Sequence, residues 1–223
     1  MAIEDTLSIT KNYKQHPQFK HYVEGFKQYY EDVFKLLPPS KRTLDIGCAY
    51  GILALMLKKR GDYVLATDMT AKYTSRKMLL DNKIDFNILD IEKGTLNAKF
   101  DLIIMTEIIE HLNSNPLPAI KRVYEMLNEG GHFFCSTVMK ERHGETTSMN
   151  VGKKGLWNDL QNWKDIPTYK GKWKDEHTYH YMQFDLVTLL SEAGFEIEDI
   201  GNVGNFSHWV IGVKNDSQSK VQR

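Results

Sequence analysis

The chain of 223 residues is long enough for one α/β domain with a sizeable core, or for a domain with a small insertion. Its 29 basic and 29 acidic residues cancel, which argues against a dedicated nucleic-acid binder with its usual basic surplus. No apolar run approaches membrane-spanning length, and the N-terminus lacks the apolar stretch of a signal peptide. We therefore expect a cytoplasmic protein whose two cysteines, Cys48 and Cys135, are reduced and buried.

The first predicted element is an amphipathic helix over residues 19–37, which Pro38 and Pro39 end. Two interpretations of this helix are open. It packs on a sheet, which is the interpretation we favour, or its N-terminal half joins Tyr13 and His16 in a lid over a bound ligand. On either interpretation, residues 1–39 form an N-terminal helical region.

Residues 43–60 combine a buried strand, a glycine turn and a helix. The strand covers 43–46, the turn holds Gly47 and Gly51, and good helix formers follow over 52–60. This arrangement brings a ligand onto backbone N–H groups at a helix N-terminus, where a Cβ would block its approach. The next strand, 63–67, runs into Asp68, and a carboxylate there can accept hydrogen bonds from both hydroxyls of a ribose.

The run Leu-Asp-Ile-Gly-Cys-Ala-Tyr-Gly at residues 44–51 resembles motif I of the class I S-adenosylmethionine-dependent methyltransferases. The family pattern is (hydrophobic)-Asp-(hydrophobic)-Gly-Cys-Gly-x-Gly. Ala49 replaces its central glycine, which narrows the room for a cofactor at that point. The resemblance covers roughly residues 40–213 and implies S-adenosylmethionine as the cofactor.

Strands and helices alternate along the rest of the chain. We predict helices over 71–82, 116–127 and 184–193, and strands over 85–90, 100–105, 131–138, 196–201 and 208–214. This alternation predicts an α/β fold with a doubly wound, mostly parallel seven-stranded sheet, and the resemblance implies one antiparallel strand at or near an edge in a Rossmann-like methyltransferase fold. The methyltransferase domain then covers 40–214, and residues 215–223 form a flexible polar tail.

Residues 139–176 interrupt this alternation after the fifth strand. They contain few aliphatic residues but three tryptophans, Trp157, Trp163 and Trp173. Because they follow a parallel strand, they lie near the carboxyl ends of the strands, where open α/β sheets bind ligands. The segment is either a substrate-binding cap or a solvated loop that its tryptophans pin to the core, and we hold the two interpretations equally.

The strand over 100–105 runs into a group of polar residues that includes Glu107, Glu110 and His111. On a helical turn these three side chains would share one face beside the predicted cofactor site. Three interpretations compete: structural pairing within the loop, general base catalysis by His111, and a divalent metal site. Carboxylate and imidazole ligands together suit Mg²⁺ or Mn²⁺ and also allow Zn²⁺.

The pattern Glu-x-x-Glu-His-Leu at 107–112 resembles that of the ubiquinone-pathway O-methyltransferases and of the small-RNA 3′-terminal 2′-O-methyltransferases. In the RNA enzymes, the two glutamates and the histidine hold a metal together with a second histidine downstream. Residues 175–186 resemble the segment with that second histidine, although Met182 and Gln183 replace a usual Thr/Ser-Pro helix start. The resemblance implies the metal-ligand set Glu107, Glu110, His111 and His177.

The resemblance also implies a cofactor-binding set. Asp45 shapes the glycine turn and reaches the methionine ammonium through water, while Asp68 takes the ribose hydroxyls. Asp90 contacts the adenine amine with Ile91 beside the ring, or else serves only as a turn or helix N-cap residue. The full set is Asp45, Gly47, Ala49, Gly51, Asp68, Met69, Asp90, Ile91 and Thr106.

The sequence thus predicts an S-adenosylmethionine-dependent methyltransferase that O-methylates a small molecule, such as a sugar or another metabolite hydroxyl. The catalytic candidates are His111, His177 and Glu107, because a hydroxyl is a poor nucleophile until it loses its proton. One alternative is a metal-dependent RNA 2′-O-methyltransferase, and a second is a non-catalytic cofactor-binding regulator. The RNA alternative draws on the lysines mixed with aromatic residues in the 139–176 segment. These lysines are Lys153, Lys154, Lys170, Lys172 and Lys174.

Overall fold

The computed structural model describes residues 3–139 and 156–215. Seven strands form one sheet in the order β3-β2-β1-β4-β5-β7-β6. They are β1 (Arg42–Ile46), β2 (Tyr63–Asp68), β3 (Asp85–Ile88), β4 (Phe100–Thr106), β5 (Leu127–Val138), β6 (Glu196–Val203) and β7 (Ser207–Val213). Strand β7 pairs antiparallel with both of its neighbours, whereas the pairs among β1 to β5 are parallel. The predicted fold class is therefore confirmed, with the antiparallel strand next to the edge.

Helices cover both faces of this sheet. They are α1 (Ile3–Thr10), α2 (Phe19–Gly25), α3 (Lys27–Leu36), α4 (Ile52–Arg60), α5 (Arg76–Asp81), α6 (Leu117–Met126) and α7 (Gln183–Ala193). One buried cluster joins α1 to α5 to the sheet, and we call this side the α4 face. The other cluster joins α6 and α7 to the sheet, and we call that side the α6 face. Of the helices in the described ranges, none is both long and apolar enough to cross a membrane.

The N-terminal helical region differs from the prediction. The helix expected over 19–37 is divided at Phe26, whose backbone angles of φ −111° and ψ 11° are not helical. The ring of Phe26 packs edge-on against Phe206, with ring centroids 5.0 Å apart. This contact with the β6–β7 turn fixes the break, and a helical sequence pattern cannot show it. Helix α1 is an element that the sequence analysis missed.

The helix predicted over 71–82 is shorter than expected and forms only at Arg76–Asp81. The residues before it are tied to the glycine turn instead. The hydroxyl of Thr74 donates to the carbonyl of Ala49, and it also lies 3.8 Å from Sγ of Cys48. Both cysteines are free and buried, as predicted.

The segment over 139–176 is described at Met139 and from residue 156 onward, so Lys153 and Lys154 lie outside the described residues. Trp163 is buried, and its indole N–H donates to the Thr188 hydroxyl at 3.2 Å. Trp157 donates to the carbonyl of Asn113 at 2.8 Å. These two tryptophans pin the segment to the α6 face, whereas Trp173 is 37% exposed.

Candidate active site

The glycine turn (residues 47–51) joins β1 to α4 through three residues in the left-handed region. Their φ angles are +77° for Gly47, +43° for Ala49 and +75° for Gly51. The two glycines adopt these angles freely, while Ala49 holds its angle at a steric cost. A Cβ on Gly47 would overlap the side chain of Ile108, in the loop after β4. The turn therefore needs glycine at residue 47 for its contact with the neighbouring strand end.

Backbone N–H groups of this turn donate within the protein. Those of Gly47 and Cys48 donate to the carbonyl of Thr67 at 2.8 and 2.9 Å. The N–H of Ala49 donates to Oδ2 of Asp68 at 3.1 Å. These bonds fix the turn against the end of β2. They also use three of the backbone N–H groups that the sequence analysis expects to bind a ligand.

Asp68 is built into the turn and keeps acceptor capacity. Its Oδ1 accepts the N–H of Thr70 at 3.0 Å, while Oδ2 accepts that of Ala49. Burial raises the pKa of Asp68, and these backbone donors oppose the rise. Because each carboxylate oxygen has two lone pairs, each Asp68 oxygen can accept one further hydroxyl. The carboxylate at the end of β2 therefore fits two ribose hydroxyls.

Asp45 is a buried carboxylate with an unsatisfied oxygen. The residue is 1% exposed, and its Oδ2 has no hydrogen-bond partner within the described part of the chain. Burial, with the charge of Asp68 adding to it, raises the pKa of Asp45 to about 7. A buried oxygen without a partner is costly, so this position fits a ligand that brings a positive charge or a hydrogen-bond donor.

The remaining predicted cofactor residues lie at the same edge of the sheet. Oδ1 of Asp90 accepts the N–H of Glu92 at 3.1 Å, and Oδ2 pairs with Lys93 at 2.7 Å. This is the geometry of a turn residue, which was one of the two roles open for Asp90. Ile91 is buried in the core. Met69 and Thr106, at the ends of β2 and β4, are half-buried.

The loop after β4 does not form the helical turn that the sequence predicts. Glu107 has a left-handed φ of +54°, and a short 3₁₀ helix follows at Ile109–His111. Oε1 of Glu107 accepts hydrogen bonds from Ser136, whereas Oε2 of Glu110 accepts one from Thr137. Adjacent side chains of a strand point to opposite faces of a sheet. The two glutamates therefore lie on opposite faces, with Glu107 on the α4 face and Glu110 on the α6 face.

Burial raises the pKa of both glutamates. The pKa of Glu107 rises to about 7, although donors on Ser136, Ser207 and Tyr29 oppose the rise. The pKa of Glu110 rises well above its ordinary value through burial and then through the charge of Glu107. No Lys or Arg within residues 3–139 and 156–215 forms an ion pair with either glutamate. Among the described residues, the end of β4 is thus acidic, with Glu110 buried and Glu107 half-buried.

Three of the four predicted metal ligands come together on the α6 face. One ligand atom each from Glu110, His111 and His177 lies within 4.8 Å of the other two, and Glu107 is outside this group. The two imidazole rings are perpendicular, with centroids 4.7 Å apart. Nδ1 of His111 is 3.6 Å from Oδ1 of Asp175. Burial lowers the pKa of His111, and Asp175 opposes that shift.

Aromatic residues of the N-terminal region pack over the glycine turn. Tyr50, inside the turn, has ring centroids 6.3 Å from His16, 5.7 Å from Tyr22 and 5.8 Å from Tyr73. The structure therefore brings His16 and Tyr22 to the predicted cofactor site. Tyr13 lies elsewhere, with its ring 6.0 Å from Nζ of Lys77 on α5.

Sequence analysis missed several residues that the structure places at the site. The hydroxyl of Tyr29 donates to Oε1 of Glu107 at 3.0 Å. The hydroxyl of Tyr73, in the loop between β2 and α5, donates to Asp175 at 3.4 Å. Asp175 therefore links that loop to His111. A phenol on the buried face of a helix usually has a hydrogen-bond partner, and that rule could have marked Tyr29. No rule of spacing identifies a partner 78 residues away.

Comparison with known proteins agrees with this geometry. Residues 19–200 match the family described as "Methyltransferase domain". A ubiquinone biosynthesis O-methyltransferase of Coxiella burnetii is 34% identical over 174 residues, which cover 73% of this chain and 67% of the relative. The mitochondrial ubiquinone biosynthesis O-methyltransferase of Rattus norvegicus is 31% identical over 109 residues, 44% of this chain and 31% of the rat protein.

Among solved structures, the magnesium protoporphyrin IX methyltransferase of Synechocystis, with S-adenosylhomocysteine bound, has a TM-score of 0.60 at 20% identity. That match covers 95% of this chain and 94% of the other, and it shows the shared fold.

The sheet order, the glycine turn and the acidic residues ending β1 and β2 define a class I S-adenosylmethionine-dependent methyltransferase. The chain belongs to the methyltransferase-domain family of that superfamily. It is therefore an S-adenosylmethionine-dependent enzyme, and the regulator without activity is set aside.

Proposed function

We propose that the enzyme transfers the methyl group of S-adenosylmethionine to a hydroxyl of a small molecule. The observation that carries this proposal is the grouping of Glu110, His111 and His177 at the end of β4. Such a group can activate a hydroxyl, which needs to lose its proton before it attacks a methyl group. The relatives named as ubiquinone biosynthesis O-methyltransferases support a small hydroxyl-bearing acceptor.

The cofactor would be held along the carboxyl edge of the sheet. Asp68 accepts the ribose hydroxyls, the glycine turn with Gly47, Ala49 and Gly51 flanks the methionine part, and Asp45 reaches the ammonium through water. The adenine end is assigned to Asp90 and Ile91, with Met69 and Thr106 lining the same edge. When bound, S-adenosylmethionine supplies a methyl group on a positively charged sulfur. The protein then orients the acceptor and excludes water.

His111 is the proposed base. Its lowered pKa keeps the imidazole neutral near pH 7, so a ring nitrogen can take the proton of the acceptor hydroxyl. The carboxylate of Asp175, 3.6 Å from Nδ1, stabilises by its charge the imidazolium that forms. His177 is packed edge-on against His111 and belongs to the same group of side chains. Glu107 is the weaker catalytic candidate, because its carboxylate lies on the opposite face of the sheet.

A divalent metal is the second way to use this group. Glu110, His111 and His177 offer one carboxylate and two imidazoles, a donor set that suits a divalent transition metal. A bound metal would supply Lewis-acid activation of the hydroxyl. An imidazole that ligates a metal cannot also remove a proton, so the two roles of His111 exclude each other.

The N-terminal region and the 139–176 segment are the proposed lid and cap. His16 and Tyr22 lie over the glycine turn, where a lid would close on the cofactor. In the cap, the side chain of Trp173 is exposed, and its ring can pack against the acceptor. The RNA alternative draws no support from the relatives reported above. Among the lysines that the RNA alternative draws on, Lys174 has its Nζ 3.6 Å from Oε1 of Glu176.

Labelled S-adenosylmethionine provides the test. The enzyme is incubated with methyl-labelled cofactor and, separately, with a small-molecule extract and with total RNA. We expect label in the small-molecule fraction, and label in RNA alone would contradict the proposal. His111→Gln should lower the rate by about 100-fold or more. His132→Gln is the matched control, because His132 pairs with Glu198 at 3.0 Å near the other end of the sheet.

Excess chelator separates the two roles of His111. A loss of activity that Mg²⁺, Mn²⁺ or Zn²⁺ restores would assign the group to a metal. Full activity in chelator, together with an inactive His111→Gln, would assign His111 to proton transfer.

A further inference from the structure

We propose that Asn113 is a positioning residue for methyl transfer, which acts by keeping Asp175 beside His111. This role rests on the proposed function, in which His111 acts on the acceptor hydroxyl. Asn113 directly follows the Glu-x-x-Glu-His-Leu pattern and belongs to none of the residue sets that the sequence predicts. The contacts that give it this role join parts of the chain that are far apart in sequence.

The side-chain amide of Asn113 bonds both polar groups of one backbone residue. Its Oδ1 accepts the N–H of Lys174 at 2.7 Å, and its Nδ2 donates to the carbonyl of Lys174 at 3.0 Å. Nδ2 also donates to the carbonyl of His111 at 2.9 Å, which uses the second N–H of the amide. Because Asn113 is only 2% exposed, water does not readily replace these bonds when they are lost. The amide thus joins the loop after β4 to the 139–176 segment.

Residues 110–113 and 174–178 lie antiparallel to each other and are joined at both ends. Asn113 forms the bonds at one end. At the other end, the N–H of Thr178 donates to the carbonyl of the first residue of the loop stretch at 2.7 Å. Asp175 directly follows the residue that Asn113 holds, whereas Thr178 is farther along the chain. The position of Asp175 therefore depends more on Asn113 than on Thr178.

The contacts of the Asp175 side chain are too long to hold it alone. Its Oδ1 lies 3.6 Å from Nδ1 of His111, and its Oδ2 accepts the hydroxyl of Tyr73 at 3.4 Å. The side chain is 52% exposed, so water competes for both contacts. The backbone bonds at Lys174, of 2.7 and 3.0 Å, are therefore what keeps the carboxylate beside His111.

Loss of the Asn113 amide should act on the reaction through Asp175. A carboxylate acts on an imidazole by its charge only while the two stay close, because the interaction weakens with distance and with exposure to water. Without the amide, the backbone at residue 174 loses its two bonds to Asn113, and Asp175 can turn into solvent. Removing the amide and removing the Asp175 carboxylate should then have effects that do not add.

A double-mutant cycle tests this dependence. Transfer of label from methyl-labelled S-adenosylmethionine to the small-molecule extract is measured at a fixed, saturating amount of extract, while the cofactor concentration is varied. Asn113→Ala should lower kcat by about 10- to 100-fold and change the KM for S-adenosylmethionine by less than about twofold. In the Asp175→Ala background, the same substitution should lower kcat by less than about twofold.

Asn115 is the matched control. Its Nδ2 donates to the carbonyls of Trp163 and Lys164 at 3.4 and 3.3 Å, so it ties the same loop to an earlier part of the same segment. Asn115→Ala should leave kcat within about twofold of the wild-type value. Thermal unfolding checks that each variant is folded, and Asn113→Ser replaces Asn113→Ala if that variant does not fold. Serine has no amide group, so the paired bonds to Lys174 are lost in that variant as well.

Equal losses of kcat caused by Asn113→Ala in the two backgrounds would overturn the inference, because Asn113 would then act on the rate without Asp175. An unchanged kcat in Asn113→Ala would overturn it as well, and so would an Asn115→Ala variant that is as slow as Asn113→Ala. If the wild-type protein transferred no label to the extract, the proposed function itself would fail, which is a separate outcome.

Discussion

Replacing Gly47 with alanine perturbs the contact between the glycine turn and the loop after β4. The residue has a φ of +77°, and the left-handed region costs a non-glycine residue about 1–2 kcal/mol. The added Cβ would also overlap Cγ1 and Cδ1 of Ile108, and overpacking of this kind costs about 1–3 kcal/mol. We therefore expect Gly47→Ala to lower the free energy of unfolding by about 2–5 kcal/mol.

Gly130 provides the matched control. Its φ is +72°, but a Cβ added there meets nothing within 4 Å. Gly130→Ala therefore carries only the conformational cost, about 1–2 kcal/mol. Urea unfolding of the two variants, with unchanged m-values, measures the difference that belongs to Ile108.

Equal destabilisation by the two substitutions would refute the reasoning, because it would show that Ile108 moves aside freely. If the difference is present, Ile108→Ala in the Gly47→Ala background should recover part of it. We also expect Gly47→Ala to weaken the binding of S-adenosylhomocysteine, because the glycine turn flanks the methionine part in the proposed cofactor site.

Other consequences concern the cap, the core and the pH dependence of stability. The Thr178 hydroxyl donates to the carbonyls of Glu110 and Leu112, so Thr178→Val should cost about 1–3 kcal/mol in urea unfolding; an unchanged midpoint would contradict this. Trp163→Ala should cost about 3–5 kcal/mol in the same assay, and a loss near zero would show that Trp163 does not pin the segment. Burial raises the folded-state pKa of Asp45 to about 7, above its unfolded value of about 3.9. The folded protein thus binds this proton more tightly, so stability should fall as pH rises from about 4 to about 7, and Asp45→Asn should flatten that slope; an identical slope in the variant would remove the assignment.

The parallel strands and their connections could be predicted because each depends on residues that are close together in the sequence. The apolar runs of β1, β2 and β4 are bounded by turn residues. The helix after the glycine turn consists of residues that favour helix formation. Errors arose where distant contacts decide the local backbone. Phe26 leaves the helix to pack on Phe206, and Thr74 bonds Ala49 where a helix was predicted.

The candidate site could be predicted in part for the same reason. Asp45, Asp68 and the glycines of the turn belong to one local motif. The sequence therefore predicts which residues at the carboxyl edge of the sheet would bind the cofactor. The placement of Glu107 was not, because a left-handed residue followed by a 3₁₀ turn sends Glu107 and Glu110 to opposite faces. The contact of Tyr29 with Ser136 joins residues 107 positions apart, and only the folded structure brings them together.

A crystal structure of the protein with S-adenosylhomocysteine tests the central claim most directly. The account predicts that the ribose hydroxyls bond the Asp68 carboxylate and that the amino end of the ligand lies toward Asp45. A nucleoside bound elsewhere on the molecule, with Asp68 bonded only to Ala49 and Thr70, would contradict it.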